Sequence, residues 1–208
     1  MADFPFSARN IVVFRGERCL IRNLTLEVSE GDVVHLVGPN GCGKTSLLRV
    51  LAGLVPPEQG EVLWDGQPVH ACRAEFNQQL AWLGHHAGLK SDLTLAENLQ
   101  FDNALRRRHD RVDLERIYET LGLTARLSVR AGALSAGQRR RAALARVLMS
   151  SASLWLLDEP LTNLDTDGRA LVLDALAAHA KAGGRAIFAA HYDVDVPNVR
   201  VRRMEWQS

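Results

Sequence analysis

The stretch that decides the fold is Val33 to Leu54, VVHLVGPNGCGKTSLLRVLAGL. Its first five residues form an apolar run, which predicts a buried strand from Val33 to Val37. The segment from Lys44 to Leu54 has leucines at helical spacing. Between the two, Gly38 to Thr45 matches G-x-x-x-x-G-K-T, the phosphate loop that follows a strand and opens a helix. The stretch therefore predicts one strand, loop and helix unit of an α/β fold.

The same loop predicts a polyphosphate-binding site. Backbone N–H groups in a glycine-rich loop and at a helix N terminus attract anions, and Lys44 adds a mobile positive charge. The hydroxyl of Thr45 would face a Mg²⁺ ion that bridges the phosphates. The candidate nucleotide-binding residues in this loop are Gly38, Pro39, Asn40, Gly41, Cys42, Gly43, Lys44, Thr45 and Ser46.

A second apolar run ends in two carboxylates, in LWLLDEP, Leu154 to Pro160. Asp158 is placed to hold Mg²⁺, directly or through water, and Glu159 to orient or deprotonate the attacking water. A solvated strand end would give the same pattern. The phosphate loop upstream favours the catalytic interpretation, with Asp158 and Thr45 as the metal pair.

The remaining periodicity favours a parallel sheet covered by helices. From Leu95 to Ala125 the apolar residues recur at helical spacing among charges, and a further helix is predicted from about Asp167 to Lys181. Continuous apolar runs that alternate with helices are typical of strands buried on both faces. The other predicted strands are Ile11–Phe14, Leu24–Val28, Glu61–Trp64 and Arg185–Ala190.

Composition excludes several classes of function. The 208 residues carry 25 Lys plus Arg against 24 Asp plus Glu, a net charge of +1, which offers no general attraction to nucleic acid. No apolar run approaches the ~20 residues of a membrane span. The three cysteines have no C-x-x-C spacing, so neither a disulfide framework nor a zinc site is expected. This pattern favours a reducing compartment such as the cytoplasm.

A third motif, LSAGQ at Leu134 to Gln138, resembles the LSGGQ signature of the ATP-binding subunits of ABC transporters. By itself, Ser135 predicts the N cap of a helix that carries three successive arginines. The order of phosphate loop, signature, acidic pair, the turn LTNLD at Leu161 to Asp165 and the lone His191 matches the family along almost the whole chain.

The resemblance implies a fold, a reaction and an assembly. The fold is a P-loop NTPase core with a mainly parallel sheet, an N-terminal antiparallel β portion and a helical subdomain. The single domain would divide into a core of residues 1–85 and 150–208 and a helical part of about 86–149. ATP and Mg²⁺ would be the cofactors of an ATP-hydrolysing homodimer. Each ATP would be capped by the signature residues of the second subunit, and the interface residues so implied are Ser135, Gly137, Gln138 and Asp165.

The resemblance also assigns three residues around the nucleotide. His191 would contact the γ-phosphate, and Phe14 would stack on the adenine. A structural role for His191 and a core position for Phe14 stay open. His85 stands where most members of the family carry a Gln, within GHHAGLK at Gly84 to Lys90.

With this histidine, the segment GHHAGLK resembles one branch of the family, the haem-exporter ATP-binding subunits of bacterial cytochrome c maturation systems. It implies hydrolysis that drives release of a haem-loaded carrier, integral membrane permease subunits as partners, and a peripheral position on the cytoplasmic face of the inner membrane. Direct haem binding by this chain is not expected, because no CxxCH or Cys-Pro motif occurs. Another small-substrate ABC exporter, or a soluble non-transport ABC ATPase, stays open.

Overall fold

A computed structural model of the chain describes residues 6–105 and 113–205, without the side chains of residues 102–105. The described strands are β1 (Phe6–Arg15), β2 (Arg18–Val28), β3 (Val33–Val37), β4 (Gln59–Trp64), β5 (Gln67–Pro68), β6 (Leu80–Leu83), β7 (Leu154–Asp158), β8 (Arg185–Ala190) and β9 (Val201–Glu205). The described α-helices are α1 (Lys44–Leu51), α2 (Arg73–Gln79), α3 (Leu95–Leu105), α4 (Leu114–Thr120), α5 (Ala136–Leu148) and α6 (Thr166–Lys181).

Five strands form a parallel sheet in the order β6-β7-β8-β3-β9, which confirms the α/β prediction. Every residue of β7 and β8 is buried, as expected for strands covered on both faces. Because the strands are parallel, the phosphate loop after β3 and the acidic pair at the end of β7 lie at the same edge of the sheet.

A second, antiparallel sheet has the order β2-β1-β4-β5, and it confirms the expected N-terminal antiparallel portion. Strand β1 is longer than the predicted run from Ile11 to Phe14, because the residues before Ile11 also pair with β2 and β4; the register is irregular between Ala8 and Ile11. Gly60 in β4 approaches β1 so closely that a Cβ atom there would lie 2.3 Å from the Arg9 carbonyl oxygen. Phe14, near the end of β1, is exposed.

Helices α3, α4 and α5 lie between β6 and β7 in the chain. Helix α5 begins with a capping box, in which Ser135 and Gln138 each bond the other's backbone N–H, as predicted for Ser135. Helices α3 and α4 account for most of the described part of the predicted helical stretch, whose residues 106–112 lie outside the described residues. No described helix has the length and apolar character to cross a bilayer.

Candidate nucleotide-binding and catalytic site

The phosphate loop closes around its own lysine. Gly43 precedes α1 with a φ of 113°, a conformation that favours glycine, and its missing side chain leaves room for Leu20. The side chain of Lys44 is buried, and its Nζ donates to the carbonyl oxygens of Gly38 at 2.6 Å and Pro39 at 3.0 Å. The loop therefore holds an ammonium group at the N terminus of a helix, where a phosphate oxygen is also favoured.

Thr45 and Asp158, the two candidate Mg²⁺ ligands, are 113 residues apart in the sequence but in contact in the structure. The hydroxyl of Thr45 donates to the Asp158 carboxylate, with Oγ1 at 2.9 Å from Oδ2 and 3.1 Å from Oδ1. Burial raises the pKa of Asp158, whereas the Thr45 hydrogen bond and the nearby positive charge of Arg140 oppose that rise. A hydroxyl beside a carboxylate is an oxygen pair of the kind that Mg²⁺ prefers, so these residues fit the ion.

Glu159 lies beside His191. Its Oε2 is 3.2 Å from Nδ1 of His191 and accepts a hydrogen bond from the Thr162 hydroxyl at 3.1 Å. The backbone of Glu159 is left-handed, with a φ of 53°, and its N–H donates to the Ala189 carbonyl oxygen at 3.0 Å. The side chain is 27% exposed, so a water molecule can reach a carboxylate that is held by two neighbours.

A cavity of about 700 Å³, within the size range of a small-ligand site, joins the phosphate loop to Asp158 and Glu159. His191 does not line this cavity and is connected to it through Glu159. Phe14 lies on its wall and is 47% exposed, so it does not belong to the core. Together with Val55 it forms an apolar portion of the wall, while His85 contributes a polar one. The other lining residues include Asn40, Gly41, Gly43, Lys44, Thr45, Ser46, Asp158 and Glu159.

Some candidate residues take other places in the described part of the chain. The carbonyl groups of Gly38 and Pro39 hold Lys44, and Cys42 is buried; these three do not line the cavity.

The four residues expected at a subunit interface also lie away from this cavity. Ser135 and Gln138 cap α5, and the exposed Asp165 caps α6 by accepting a hydrogen bond from the Gly168 N–H. Gly137 lies in the first turn of α5.

The sequence does not single out Arg140, which contacts the site from α5. Its guanidinium donates to the carbonyl oxygens of Gly84, Asp158 and Glu159. Burial lowers the pKa of Arg140, and the carboxylates of Asp158 and Glu159 oppose that effect. In the sequence Arg140 is the middle one of three arginines, and the pattern alone favours a basic surface helix for all of them.

Comparison with known proteins identifies the family. A family model described as ABC transporter matches residues 21–162. The chain is 44% identical to the cytochrome c biogenesis ATP-binding export protein CcmA of Shewanella frigidimarina, over 91% of this chain and 88% of that protein. It is 40% identical to the protein of the same name from Escherichia coli K12, over 95% and 94% of the two chains.

Solved structures agree on the fold. A putative ABC transporter ATP-binding protein from Pyrococcus furiosus superposes with a TM-score of 0.74, at 24% identity over 96% of both chains. A dimeric ATP-binding cassette in a post-hydrolysis state, bound to ADP and Pi, gives a TM-score of 0.73 at 23% identity, over 90% of this chain and 88% of that one. The chain therefore belongs to the ABC transporter family as an ATP-hydrolysing subunit, and within that family it groups with its CcmA relatives.

Proposed function

We propose that this chain hydrolyses ATP for a membrane complex of cytochrome c biogenesis, where hydrolysis drives the release of a haem-loaded carrier. The observation that carries the proposal is similarity to CcmA proteins, at 39 to 44% identity over nine tenths of the chain. The cavity supports the ATPase part independently, because it joins a phosphate loop to a carboxylate pair.

Nucleotide binding would use the two ends of the cavity differently. The triphosphate would lie on the N–H groups of the phosphate loop, where Lys44 would exchange its carbonyl partners for phosphate oxygens. The adenine would stack on the exposed ring of Phe14. Mg²⁺, held by Thr45 and Asp158, would neutralise charge on the phosphates.

Hydrolysis would proceed through Glu159. Its carboxylate would accept a proton from water as that water attacks the γ-phosphate. His191 would hold the carboxylate in place from one side and contact the γ-phosphate from the other, since its Nδ1 lies 3.2 Å from Glu159 Oε2. His85, which lines the cavity, would contact the nucleotide at the position where a Gln is usual.

The functional form would be a homodimer of this chain. Ser135, Gly137 and Gln138 form the N-terminal end of α5, whose N–H groups favour an anion. In a head-to-tail dimer this end would face the ATP held by the partner, and Asp165 would lie at the interface. Two ATP molecules would then join two chains.

The membrane partners would be the permease subunits of a cytochrome c maturation complex. The chain would bind them peripherally at the cytoplasmic face of the bacterial inner membrane. Haem or its carrier would be handled by those partners, and neither nucleic acid nor haem would bind to this chain directly. The ATPase of another small-substrate exporter is the second candidate, because only the partner subunits would differ.

Deletion of the gene in its own host tests the assignment to cytochrome c biogenesis. We expect haem-stained c-type cytochromes to disappear and to return when the wild-type chain is supplied, but not when Glu159→Gln is supplied at the same level. Normal c-type cytochromes in the deletion strain would overturn the biogenesis assignment. The ATPase assignment would survive that result, since it is measured separately on the purified chain.

A further inference from the structure

We propose that Arg140 is a positioning residue for hydrolysis, and that its guanidinium fixes the backbone around Glu159 to the helix that begins at the LSAGQ motif. This inference rests on the proposed function, in which Glu159 is the base. It adds to that function a physical connection between the signature helix α5 and the reacting end of the site.

The contacts of Arg140 join two neighbouring strands at their carboxyl ends. Nη1 donates to the carbonyl oxygen of Gly84, which directly follows β6. Nη2 donates to the carbonyl oxygen of Asp158 at the end of β7 and, at 3.1 Å, to that of Glu159. Because β6 and β7 are adjacent parallel strands, one guanidinium spans the point where both chains leave the sheet.

An arginine suits this position better than a lysine does. A guanidinium presents several N–H donors in one rigid plane, so it can hold three carbonyl groups in a fixed arrangement. A lysine ammonium keeps the charge but has no such plane. Arg140 is half-buried, and the carboxylates of Asp158 and Glu159 compensate its charge.

The backbone of Glu159 needs such support. A residue other than glycine at a φ of 53° is strained, and that conformation persists only where the surroundings enforce it. The peptide N–H of Glu159 is held by Ala189, while its carbonyl oxygen accepts from Arg140 and, at 3.3 Å, from the N–H of Thr162. This conformation places the carboxylate beside His191.

A second arginine of α5 provides a natural comparison. Arg146 donates to the carbonyl oxygens of Ala87 at 3.1 Å and Gly88 at 3.2 Å. Arg146 therefore holds the end of the His85 loop at Ala87 and Gly88, while Arg140 holds the beginning of that loop at Gly84. In the described contacts only Arg140 also reaches the end of β7.

The arrangement gives α5 control over the catalytic carboxylate. Ser135, the residue proposed to face the partner's ATP, caps the N terminus of helix α5, and Arg140 follows on that helix. A shift of α5 upon dimerisation would move the backbone of Asp158 and Glu159 through one direct contact. The coupling between α5 and Glu159 depends on the three hydrogen bonds of Arg140, so replacing that one side chain should remove it.

The test compares Arg140→Lys with the matched control Arg146→Lys in the full chain. Three quantities are measured: the Kd for ATP, kcat at saturating MgATP, and amide hydrogen exchange of a peptide spanning residues 157–163. For Arg140→Lys we expect kcat to fall by about tenfold with a Kd within about twofold of wild type. Exchange at Glu159 and Thr162 should become about tenfold faster, with the rest of the chain unchanged. Arg146→Lys should leave exchange in that peptide close to wild type, because its described hydrogen bonds go to Ala87 and Gly88.

Two results would overturn the proposal. One is normal amide exchange around Glu159 in Arg140→Lys. The other is an equal rise of that exchange in Arg146→Lys. If exchange rises uniformly in Arg140→Lys, the variant Arg140→Gln is measured as well, and a uniform rise there too would reduce Arg140 to a packing residue. Failure of the proposed function is recognised by a different measurement, namely normal ATP hydrolysis by Glu159→Gln. That result would not change what amide exchange shows about Arg140 and the backbone of Glu159.

Discussion

At the scale of single residues, Lys44 is the group whose loss should affect nucleotide binding most directly. Its buried ammonium already lies in the phosphate loop, bonded to the carbonyl oxygens of Gly38 and Pro39. Replacing it by alanine removes a charge-assisted hydrogen bond to phosphate, so we expect Lys44→Ala to weaken ATP binding by about tenfold or more. Calorimetric titration of the full chain with MgATP measures this.

The matched control is Lys90→Ala, since Lys90 lies over the exposed ring of Phe101 and does not line the nucleotide cavity. Its Kd should equal that of the wild-type chain. A Kd for Lys44→Ala within about twofold of wild type would mean that the loop binds phosphate through its N–H groups alone.

Sequence reasoning finds residues whose chemistry depends on spacing along the chain. Lys44 and Thr45 follow from the loop pattern, and Asp158 and Glu159 from their place after an apolar run. Arg140 could not be found, because three successive arginines look alike until the path of α5 past β6 and β7 is known. The contact between Glu159 and His191 likewise depends on the neighbouring positions of β7 and β8.

At the scale of elements, the pairing of β1 with β4 depends on Gly60. Its φ is +87°, and an added Cβ would lie 2.3 Å from the Arg9 carbonyl oxygen and 2.5 Å from that of Asn10. Gly16 also has a positive φ, of +60°, but open space around it. We therefore expect Gly16→Ala to lose about 1 kcal/mol of unfolding free energy and Gly60→Ala about 3 kcal/mol or more. Urea unfolding of both variants measures the difference, and equal losses would mean that the β1–β4 approach relaxes freely.

Strand β3 contains a histidine that should make stability depend on pH. His35 is fully buried, and its ring stacks on that of Phe188 with the ring centroids 4.4 Å apart. Neither ring nitrogen of His35 has a hydrogen-bond partner in the described part of the chain. Burial lowers the pKa of His35 below its usual 6.5, with Asp193 opposing and Arg203 assisting. The unfolded chain therefore takes up a proton at a higher pH than the folded chain does. Stability should fall as the pH drops below the unfolded pKa, until the folded pKa is reached.

The variant His35→Phe removes this proton uptake and keeps an aromatic ring against Phe188. Between about pH 8 and pH 5.5 we expect the wild-type chain to lose more unfolding free energy than His35→Phe, by up to about 1.4 kcal/mol per pH unit below the unfolded pKa. Denaturant unfolding at both values measures this. Identical pH dependence in the two chains would show that His35 titrates alike in both states.

Elements are predicted best where one physical cause dominates. The bounds of β3 and β8 match the expected apolar runs because both strands are covered on both faces. Helix α1 ends at Leu51, three residues before the predicted end, because Gly53 adopts a φ of +65° there. Strand β6 has only four residues, LAWL, after a polar helix, and β9 is a charged edge strand, VRRME; neither has a run long enough to predict.

At the scale of the whole molecule, the residues proposed to bind one ATP and those proposed to cap a partner's ATP lie in different places of the described chain. One is the cavity of the phosphate loop with Glu159, and the other is the N-terminal end of α5 at Ser135. The family resemblance predicts both from motif order. The sequence alone could not show that they are apart within one chain, because that depends on the path of the helical segment.

The ATP-bound state of Glu159→Gln tests the central claim most directly, namely that this chain is an ATPase whose base is Glu159. With MgATP, light scattering coupled to gel filtration should show a stable Glu159→Gln dimer that contains two ATP and little ADP. The wild-type chain should hydrolyse its ATP and return to monomer. Adding Ser135→Arg to Glu159→Gln should abolish the dimer while the Kd for ATP stays within about twofold, since Ser135 lies outside the chain's own cavity. Hydrolysis by Glu159→Gln at the wild-type rate would contradict the account.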